Sequence, residues 1–489
     1  MILAIDQGTT GSTALLVDRN LMVVGKVTVD FPQHFPQPGW VEHDPEEIWF
    51  SVRQAVTRLL QQTATAPSAI AAIGITNQRE TGLIWERNSG RPLGNAIVWQ
   101  DRRSATICQE LNDRGLEPLF REKTGLVFDP YFAGTKLTWR LRQEGGLRTR
   151  AKSGELAFGT IDSFLVWRLT GGRVHVTDVS NASRTLLMDI NSLAWDAQLA
   201  DHLEVPLELL PEIRSCSETY GTTAGLDFLP DGIPVAGMAG DQQAALFGQA
   251  CFGTGEGKCT YGTGAFILVN TGEKPIPSQS GLLTTIAWQI GSEVRYALEG
   301  SAFIAGAAVQ WLRDGLGLIH QAGEIEALAA SVPDSGGVIF VPALTGLGAP
   351  HWLSEARGLI SGITRGTSKA HLARATLEGI ALQIYELATA MSRDLGRPLG
   401  DFKVDGGAAA NNLLMQIQAD LLQVPVIRPQ TVETTALGAA MLAGLAVGVW
   451  SDQSEVRNSW RQERKFLPNA AGNWHTELLQ RWQREVTKA

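Results

Sequence analysis

Apolar and polar positions fall into short runs that end in polar or glycine-rich turns. Ile2 to Ile5 are apolar and stop at Asp6. Gln7-Gly8-Thr9-Thr10-Gly11-Ser12 follow, and then Ala14-Leu15-Leu16-Val17. That pattern predicts strand, Gly/Thr turn, strand: a hairpin whose turn brings backbone N–H groups toward an anion. The same form returns where Lys258 to Tyr261 leads into Gly262-Thr263-Gly264 and the apolar run Ala265 to Asn270. This recurrence predicts two halves, 1–250 and 251–489. Between the turns, residues 46–62 read as a helix with Asp44 as N-cap, Pro45 at the first position and Glu46-Glu47 facing the dipole. Ala69 to Thr76 is a buried strand running into Asn77-Gln78-Arg79-Glu80. Ile233 to Gly240 is a strand that delivers Asp241, with a helix after it. Gly337 to Pro342 is a strand, 369–395 a long helix, and 402–404 a strand before Gly406-Gly407 and a helix over 412–422. Strands that empty into polar turns and then helices predict an α/β fold with ligands at the carboxyl ends of the strands.

Length agrees with two units, because single cores stop growing at about 250–300 residues and this chain has 489. With 41 basic against 50 acidic residues, the net charge of −9 argues against nucleic acid as a partner, since that needs a basic stripe. No apolar stretch is long enough to cross a bilayer, so stable membrane insertion is not expected. The apolar start is cut off by Asp6 and lacks the basic opening of a secretory leader. Cys108, Cys216, Cys251 and Cys259 are scattered without C-x-x-C spacing, which reads as small buried residues in a reducing compartment. A cytoplasmic location is expected.

The turns carry the candidate chemistry. Glycines let backbone approach phosphate and hydroxyls add donors, although such turns also simply reverse a chain. Two of them, one from each half, can grip a polyphosphate from both sides. No G-x-x-x-x-G-K-[ST] segment is present, which excludes a P-loop enzyme. Gly406-Gly407 permits close approach to a ring or a phosphate, or serves helix–strand packing. Asp241 at a strand end can take a proton from an attacking hydroxyl or can cap a helix. Asp6 is either a carboxylate facing magnesium or a turn residue. Arg79 beside Glu80 offers a donor and an acceptor to a polyol, or a surface ion pair.

Taken together, these stretches resemble the FGGY carbohydrate kinases, and within that family the glycerol-phosphorylating enzymes. The resemblance rests on "AIDQGTTGS" (4–12), "PGWVEHDPEEIW" (38–49), "GITNQRETG" (74–82), "NAIVWQDRR" (95–103), "GLVFDPYFAGTK" (125–136), "AGDQQAALFGQ" (239–249), "YGTGAF" (261–266), "YALEGSAFIAGAAVQWLRD" (296–314), "PALTGLGAPHW" (342–352) and "VDGGAAANN" (404–412). It implies two actin/hexokinase-type (ribonuclease H-like) ATPase domains around a central cleft. It also implies ATP and Mg2+ as cofactors, glycerol as acceptor, and a homo-oligomer, dimer or tetramer. By the same resemblance Asp241 is the general base. Arg79, Glu80, Tyr131, Asp241 and Gln242 bond the polyol, while Trp99 and Phe266 pack on its carbons. Thr9, Thr10, Gly11 and Thr263 hold phosphates, Asp6 places magnesium through water, and Gly306, Gln310, Gly407 and Asn411 bind the rest of the nucleotide.

Two departures stand out. Gly11-Ser12-Thr13 replaces the Ser-Ser-Arg frequent among these enzymes, so a phosphate-facing arginine is missing. With no Lys or Arg in residues 2–18 to substitute, Thr13→Arg is expected to tighten ATP or raise turnover, unless a cation distant in sequence already fills the place, in which case it is neutral or harmful. Residues 222–237 lack the glycine-arginine loop tied to fructose-1,6-bisphosphate inhibition, so insensitivity to it is expected. The tail from about 467 reads as a final amphipathic helix covering the second domain. Competing readings are a kinase for a longer polyol or ketose, such as erythritol or xylulose, and a non-catalytic actin-like ATPase.

Overall fold

The computed structural model describes residues 1–353, 355–469 and 474–489. Six strands form the first sheet: β1 (Ile2–Gln7), β2 (Gly11–Val17), β3 (Val23–Asp30), β4 (Ala72–Asn77), β5 (Ser217–Thr222) and β6 (Pro234–Gly240), in the order β5-β6-β4-β1-β2-β3. Seven form the second: β7 (Gly257–Tyr261), β8 (Ala265–Gly272), β9 (Leu283–Ile290), β10 (Glu293–Ala302), β11 (Phe402–Asp405), β12 (Val426–Pro429) and β13 (Gln462–Phe466), in the order β9-β10-β8-β7-β11-β12-β13.

The two sheets share one plan. In the first, β1 and β2 make an antiparallel hairpin, β3 extends it antiparallel, and β4 and β6 run parallel on the other side. In the second, β7 and β8 are the hairpin, β10 extends it, and β11 and β12 are the parallel pair. The recurring Gly/Thr turn is thus the tip of the same hairpin in both halves.

Parallel register places the candidate residues. Gln7 lies opposite Asn77, and Asn77 opposite Gly240, so β1, β4 and β6 finish level with one another. The turn after Gln7, the Arg79-Glu80 pair and Asp241 all emerge from that one edge. In the second sheet Thr260 lies opposite Asp405, which brings the Gly262–Gly264 turn and Gly406-Gly407 to a common edge.

Helices cover the sheets: α1 (Pro45–Gln62), α2 (Asp241–Gly248), α3 (Gly306–Asp314), α4 (Lys369–Leu395), α5 (Asn412–Leu422), α6 (Thr434–Ala446) and α7 (Trp474–Val486). α1 buries Ile48, Val52, Ala55, Val56 and Leu59, one helical stripe, and the Asp44 carboxylate accepts from Glu46 N as expected of an N-cap. α6 belongs to the second half by sequence but packs on β4 and β6 and against α2. A Cβ on Gly438 would stand 1.8 Å from the Ala244 carbonyl, and one on Gly248 2.0 Å from that of Thr434. Those two glycines let α2 and α6 touch backbone to backbone, fastening one half to the other.

The long helix and the 412–422 helix fall where the pattern places them. Two strands are shorter than expected. The strand expected from Ala69 begins at Ala72 because Pro67–Ala69 closes a 3-10 turn. The one expected over 337–342 is confined to Ile339–Val341, bounded by Gly336 and Gly337 at positive φ and by Pro342, which has no N–H to donate. α7 buries Leu478 and Trp482 in the second-half core, in line with a covering helix; residues 470–473 of that tail lie outside the described residues.

Candidate active site

A tight turn presents the first pair of side chains. Thr81 N donates to Arg79 O at 2.7 Å, two residues back, and Glu80 between them holds φ at +60°. A non-glycine residue in that region is strained and persists only where its surroundings fix it. Here they do. Arg79 and Glu80 are 2 % and 1 % exposed, so the surface-pair alternative is excluded. Arg79 Nη1 and Nη2 fork onto the Glu299 carboxylate at 2.5 and 3.0 Å. The other Nη hydrogens reach Gln243 Oε1 and the Tyr131 hydroxyl, both at 3.2 Å. Four of the five N–H groups are committed. The fifth, on Nε, lies 3.2 Å from Asp241 Oδ1 and 3.8 Å from Glu80 Oε1. Arg184, fully buried, donates to Glu80 at 2.7 Å and to Glu299 at 2.9 Å.

Asp241 opens α2, with its Oδ1 accepting from Gln242 N at 2.7 Å. Its carboxylate is about one-third exposed, the most open group of this set. Gln242 Oε1 accepts from Lys258, a wholly buried amine that also donates to Thr260 Oγ1 at 2.8 Å. Tyr131 meets Trp99 edge-on with centroids 5.7 Å apart. Trp99 Nε1 donates to Thr9 Oγ1 at 2.9 Å, joining this wall to the first Gly/Thr turn. Behind that turn Gln33 Nε2 donates to Thr9 O at 2.9 Å, His43 bonds Gln33, and Gln78 bonds His43 and Gln7. Burial holds His43 down at about 4, which keeps the ring neutral in this chain of amides.

Charge is distributed unevenly. Burial alone would raise Glu299, but Arg184 and Arg79 outweigh it and hold the carboxyl at about 2. Glu80 goes the other way: burial pushes it up, with Arg79 and Arg184 opposing. Asp6 is pushed up to about 7 by burial and then by Asp241 and Glu433, with Lys26 opposing. A half-buried carboxyl raised in this way beside two other acids favours either a proton or a cation, so Asp6 fits a magnesium ion. No three His, Cys, Asp or Glu side chains among the described residues make a ready ligand cluster. Thr13, where an arginine was expected to be missed, bonds Thr28 Oγ1 at 2.8 Å across β2 and β3. Lys26, on β3 two residues from Thr28, pairs with Glu433 and supplies a cation near Asp6 from outside residues 2–18.

The two Gly/Thr turns are closed alike, by Gly8 N to Gly11 O and by Gly262 N to Gly264 O, each 2.9 Å. Thr10, Gly262 and Thr263 are exposed. The second turn rests on the start of α3, where Gly306 N donates to Gly262 O and Ala305 N and Ala307 N donate to Thr263 O. Gln310 is exposed on the same helix. On the other flank Gly406, at φ +84°, passes so close that a Cβ would stand 2.6 Å from Tyr261 O. Gly407 follows, exposed, and Asn411 caps α5 by accepting from Leu414 N at 2.9 Å. Thr263 and Gly306 therefore meet at one turn, with Gly407 beside it and Gln310 and Asn411 on the helices that start there. Phe266, half-buried on β8 opposite Ser301, is joined to the Arg79 web by none of the contacts found among the described residues.

Sequence reasoning missed Glu299, Arg184 and Lys258. For Glu299 a signal existed: a lone acid inside the apolar run of β10 has to find a buried partner. Arg184 carries no comparable local sign.

The N-terminal domain model of the FGGY family of carbohydrate kinases matches residues 1–248, and the C-terminal domain model matches 257–447. The chain is 59% identical over 490 residues to the glycerol kinase of Myxococcus xanthus, covering 100% of the chain and 99% of the relative. To that of Carboxydothermus hydrogenoformans it is 56% identical, covering 100% and 98%. Among solved structures, Plasmodium falciparum glycerol kinase with ADP superposes with a TM-score of 0.93 at 37% identity, covering 100% and 97%. Ligand-bound xylulose kinase from Lactobacillus acidophilus, at TM-score 0.86 and 24% identity, shares the fold.

Proposed function

From the premise that the chain belongs to the FGGY carbohydrate kinase family, we propose that it phosphorylates glycerol with ATP, giving sn-glycerol 3-phosphate. The observation that carries the reading is the setting of Asp241. It is a partly exposed carboxylate paired at 3.2 Å with Arg79 Nε, the one guanidinium nitrogen not taken by Glu299, Gln243 or Tyr131, at the edge where the first Gly/Thr turn emerges.

Asp241 takes the proton of the terminal hydroxyl as its oxygen attacks phosphorus, and the bridging oxygen leaves with ADP. Arg79 Nε–H donates to the acceptor, and Glu80 accepts from a neighbouring hydroxyl. Tyr131 and Gln242 complete the polar set, while Trp99 and Phe266 cover the carbons. Thr9, Thr10, Gly11 and Thr263 hold the phosphates with hydroxyls and backbone, and Gly306, Gln310, Gly407 and Asn411 flank the nucleoside. Asp6, through water, would hold a magnesium ion, whose charge offsets that of the phosphates when bound. In this reading residues 1–250 carry the acceptor and the first phosphate turn. Residues 251–489 carry the second turn and the adenosine side, and the enzyme works as a cytoplasmic homo-oligomer. No described helix is long and apolar enough to cross a membrane.

The test is a coupled ADP-release assay across glycerol, dihydroxyacetone, erythritol, xylulose and ribulose. Glycerol is expected to be the best acceptor. A pentulose preferred by about tenfold, roughly 1.4 kcal/mol in transition-state binding, would overturn the assignment.

A further inference from the structure

Glu299 comes from β10 of the second sheet, yet its carboxylate is spent on first-half side chains. It takes both Nη groups of Arg79, 220 positions away in sequence, and Nη2 of Arg184. Arg184 in turn donates to Glu80 through Nε. Arg79, Arg184, Glu80 and Glu299 are all 2 % exposed or less and sum to zero charge. Such a quartet is costly to assemble and costlier to break on one side, because the survivor is an unpaired buried ion.

We infer that Glu299 is a positioning residue for the acceptor. Its carboxylate locks the plane of the Arg79 guanidinium and, through Arg184, the Glu80 carboxylate, so the second half completes the polyol wall of the first.

The geometry supplies the reason. A guanidinium is flat, and two parallel N–H bonds to one carboxylate fix both its place and its tilt. With Nη1 and Nη2 bound to Glu299, Nε–H is left beside Asp241 and Glu80 and cannot swing away. Lysine in place of Arg79 has no plane to lock, and a neutral group in place of Glu299 has no charge to lock it with. Lys258, the other buried cation within electrostatic reach of Glu299, bonds Gln242 rather than this carboxylate, so it does not duplicate the clamp.

This inference rests on the reading of Arg79 and Glu80 as acceptor contacts, and its test separates the two. The wild type, Glu299→Gln and Glu299→Asp are compared for KM of acceptor and of ATP, kcat, melting temperature and the ratio of efficiencies for glycerol and erythritol. Charged hydrogen bonds are the ones lost, so acceptor KM is expected to rise about tenfold or more in Glu299→Gln. ATP KM is expected to stay within about twofold, and the glycerol/erythritol ratio to shrink. Glu299→Asp keeps the charge but draws it back by one methylene. It is expected to fold, to raise acceptor KM less than Glu299→Gln, and to leave ATP KM alone. It therefore carries the test should Glu299→Gln fail to fold. Acceptor KM unchanged in a folded Glu299→Asp, or acceptor and ATP KM rising together, would overturn the inference and leave Glu299 as a stability element. If the wild type prefers another acceptor, the same readouts are taken on that one. The glycerol assignment then falls, while the positioning role is still decided.

Discussion

Around the acceptor wall Arg79, Glu80, Arg184 and Glu299 are sealed from solvent and held by side chain to side chain. The two Gly/Thr turns are the opposite: Thr10, Gly262 and Thr263 are exposed, and the turns are held mainly by backbone bonds. The wall has its charges satisfied before any acceptor arrives, so most of the cost of ordering it falls on folding. On the proposed reading, the turns offer backbone N–H groups and hydroxyls whose partners arrive with the nucleotide. On that reading, specificity for the acceptor resides in fixed side chains, and grip on phosphate in the geometry of the two turns.

The comparison can be broken most sharply at Asp241, the proposed general base. Asp241→Asn keeps the shape but cannot take a proton, so kcat is expected to fall about 10²–10⁴-fold with glycerol KM little changed. Steady-state kinetics check this, and a variant retaining more than about a tenth of turnover contradicts the general-base role.

Trp99 joins the two regions, so it tests whether they are independent. Trp99→Phe keeps an aromatic face and loses the bond to Thr9 Oγ1. That bond is neutral and worth roughly 0.5–1.5 kcal/mol, so ATP efficiency is expected to drop by about two- to tenfold. An effect on glycerol alone would show that Trp99 serves only the wall.

On the turn side, Lys26 alters what Thr13→Arg should do. An arginine at 13 would lie on the strand beside Lys26, whose charge already acts on Asp6. ATP efficiency is expected to stay within about threefold, the scale of exposed charge pairs. Lys26→Ala should weaken ATP by a similar small factor. A clear gain from Thr13→Arg would mean that Lys26 does not stand in for the missing charge.

The smallest effect is in pH. The Glu299 carboxyl is held at about 2 against 4.5 unperturbed. Its ionised form thus favours folding fully above 4.5, and that contribution fades as pH falls toward 2. The melting-temperature gap between wild type and Glu299→Gln is expected to be constant from pH 8 to 6 and to narrow from pH 5 to 4. A gap that widens on acidification would contradict the paired state of Glu299.

How far the site was legible follows the same division. The turns, Asp241 and the Arg79-Glu80 pair could be read because each sits where a local pattern ends: an apolar run stops and a glycine, a carboxylate or a polar cluster begins. The buried clamp could not be read in that way. Its members lie on β10, on the segment before Leu186 and after β4, far apart in sequence, and only the packing of the two halves brings Glu299 onto Arg79 and Arg184. Lys26 could not be picked out from the hairpin's own sequence, because β3 comes beside it only in the sheet. Strand ends at 69 and 337 were misjudged where Pro67, Gly336 and Gly337 override an apolar pattern.

A fixed wall makes one further demand, on stereochemistry. Glycerol has two equivalent ends until an asymmetric site distinguishes them. If Arg79, Glu80, Tyr131 and Asp241 hold it in one pose, only one terminal hydroxyl can meet Asp241. The decisive measurement is to phosphorylate glycerol to completion and treat the product with a dehydrogenase specific for sn-glycerol 3-phosphate. The account predicts that all of the product is oxidised. A product of which only about half is consumed would mean that the acceptor binds in both orientations, and the claim that a rigid side-chain wall positions it would be wrong.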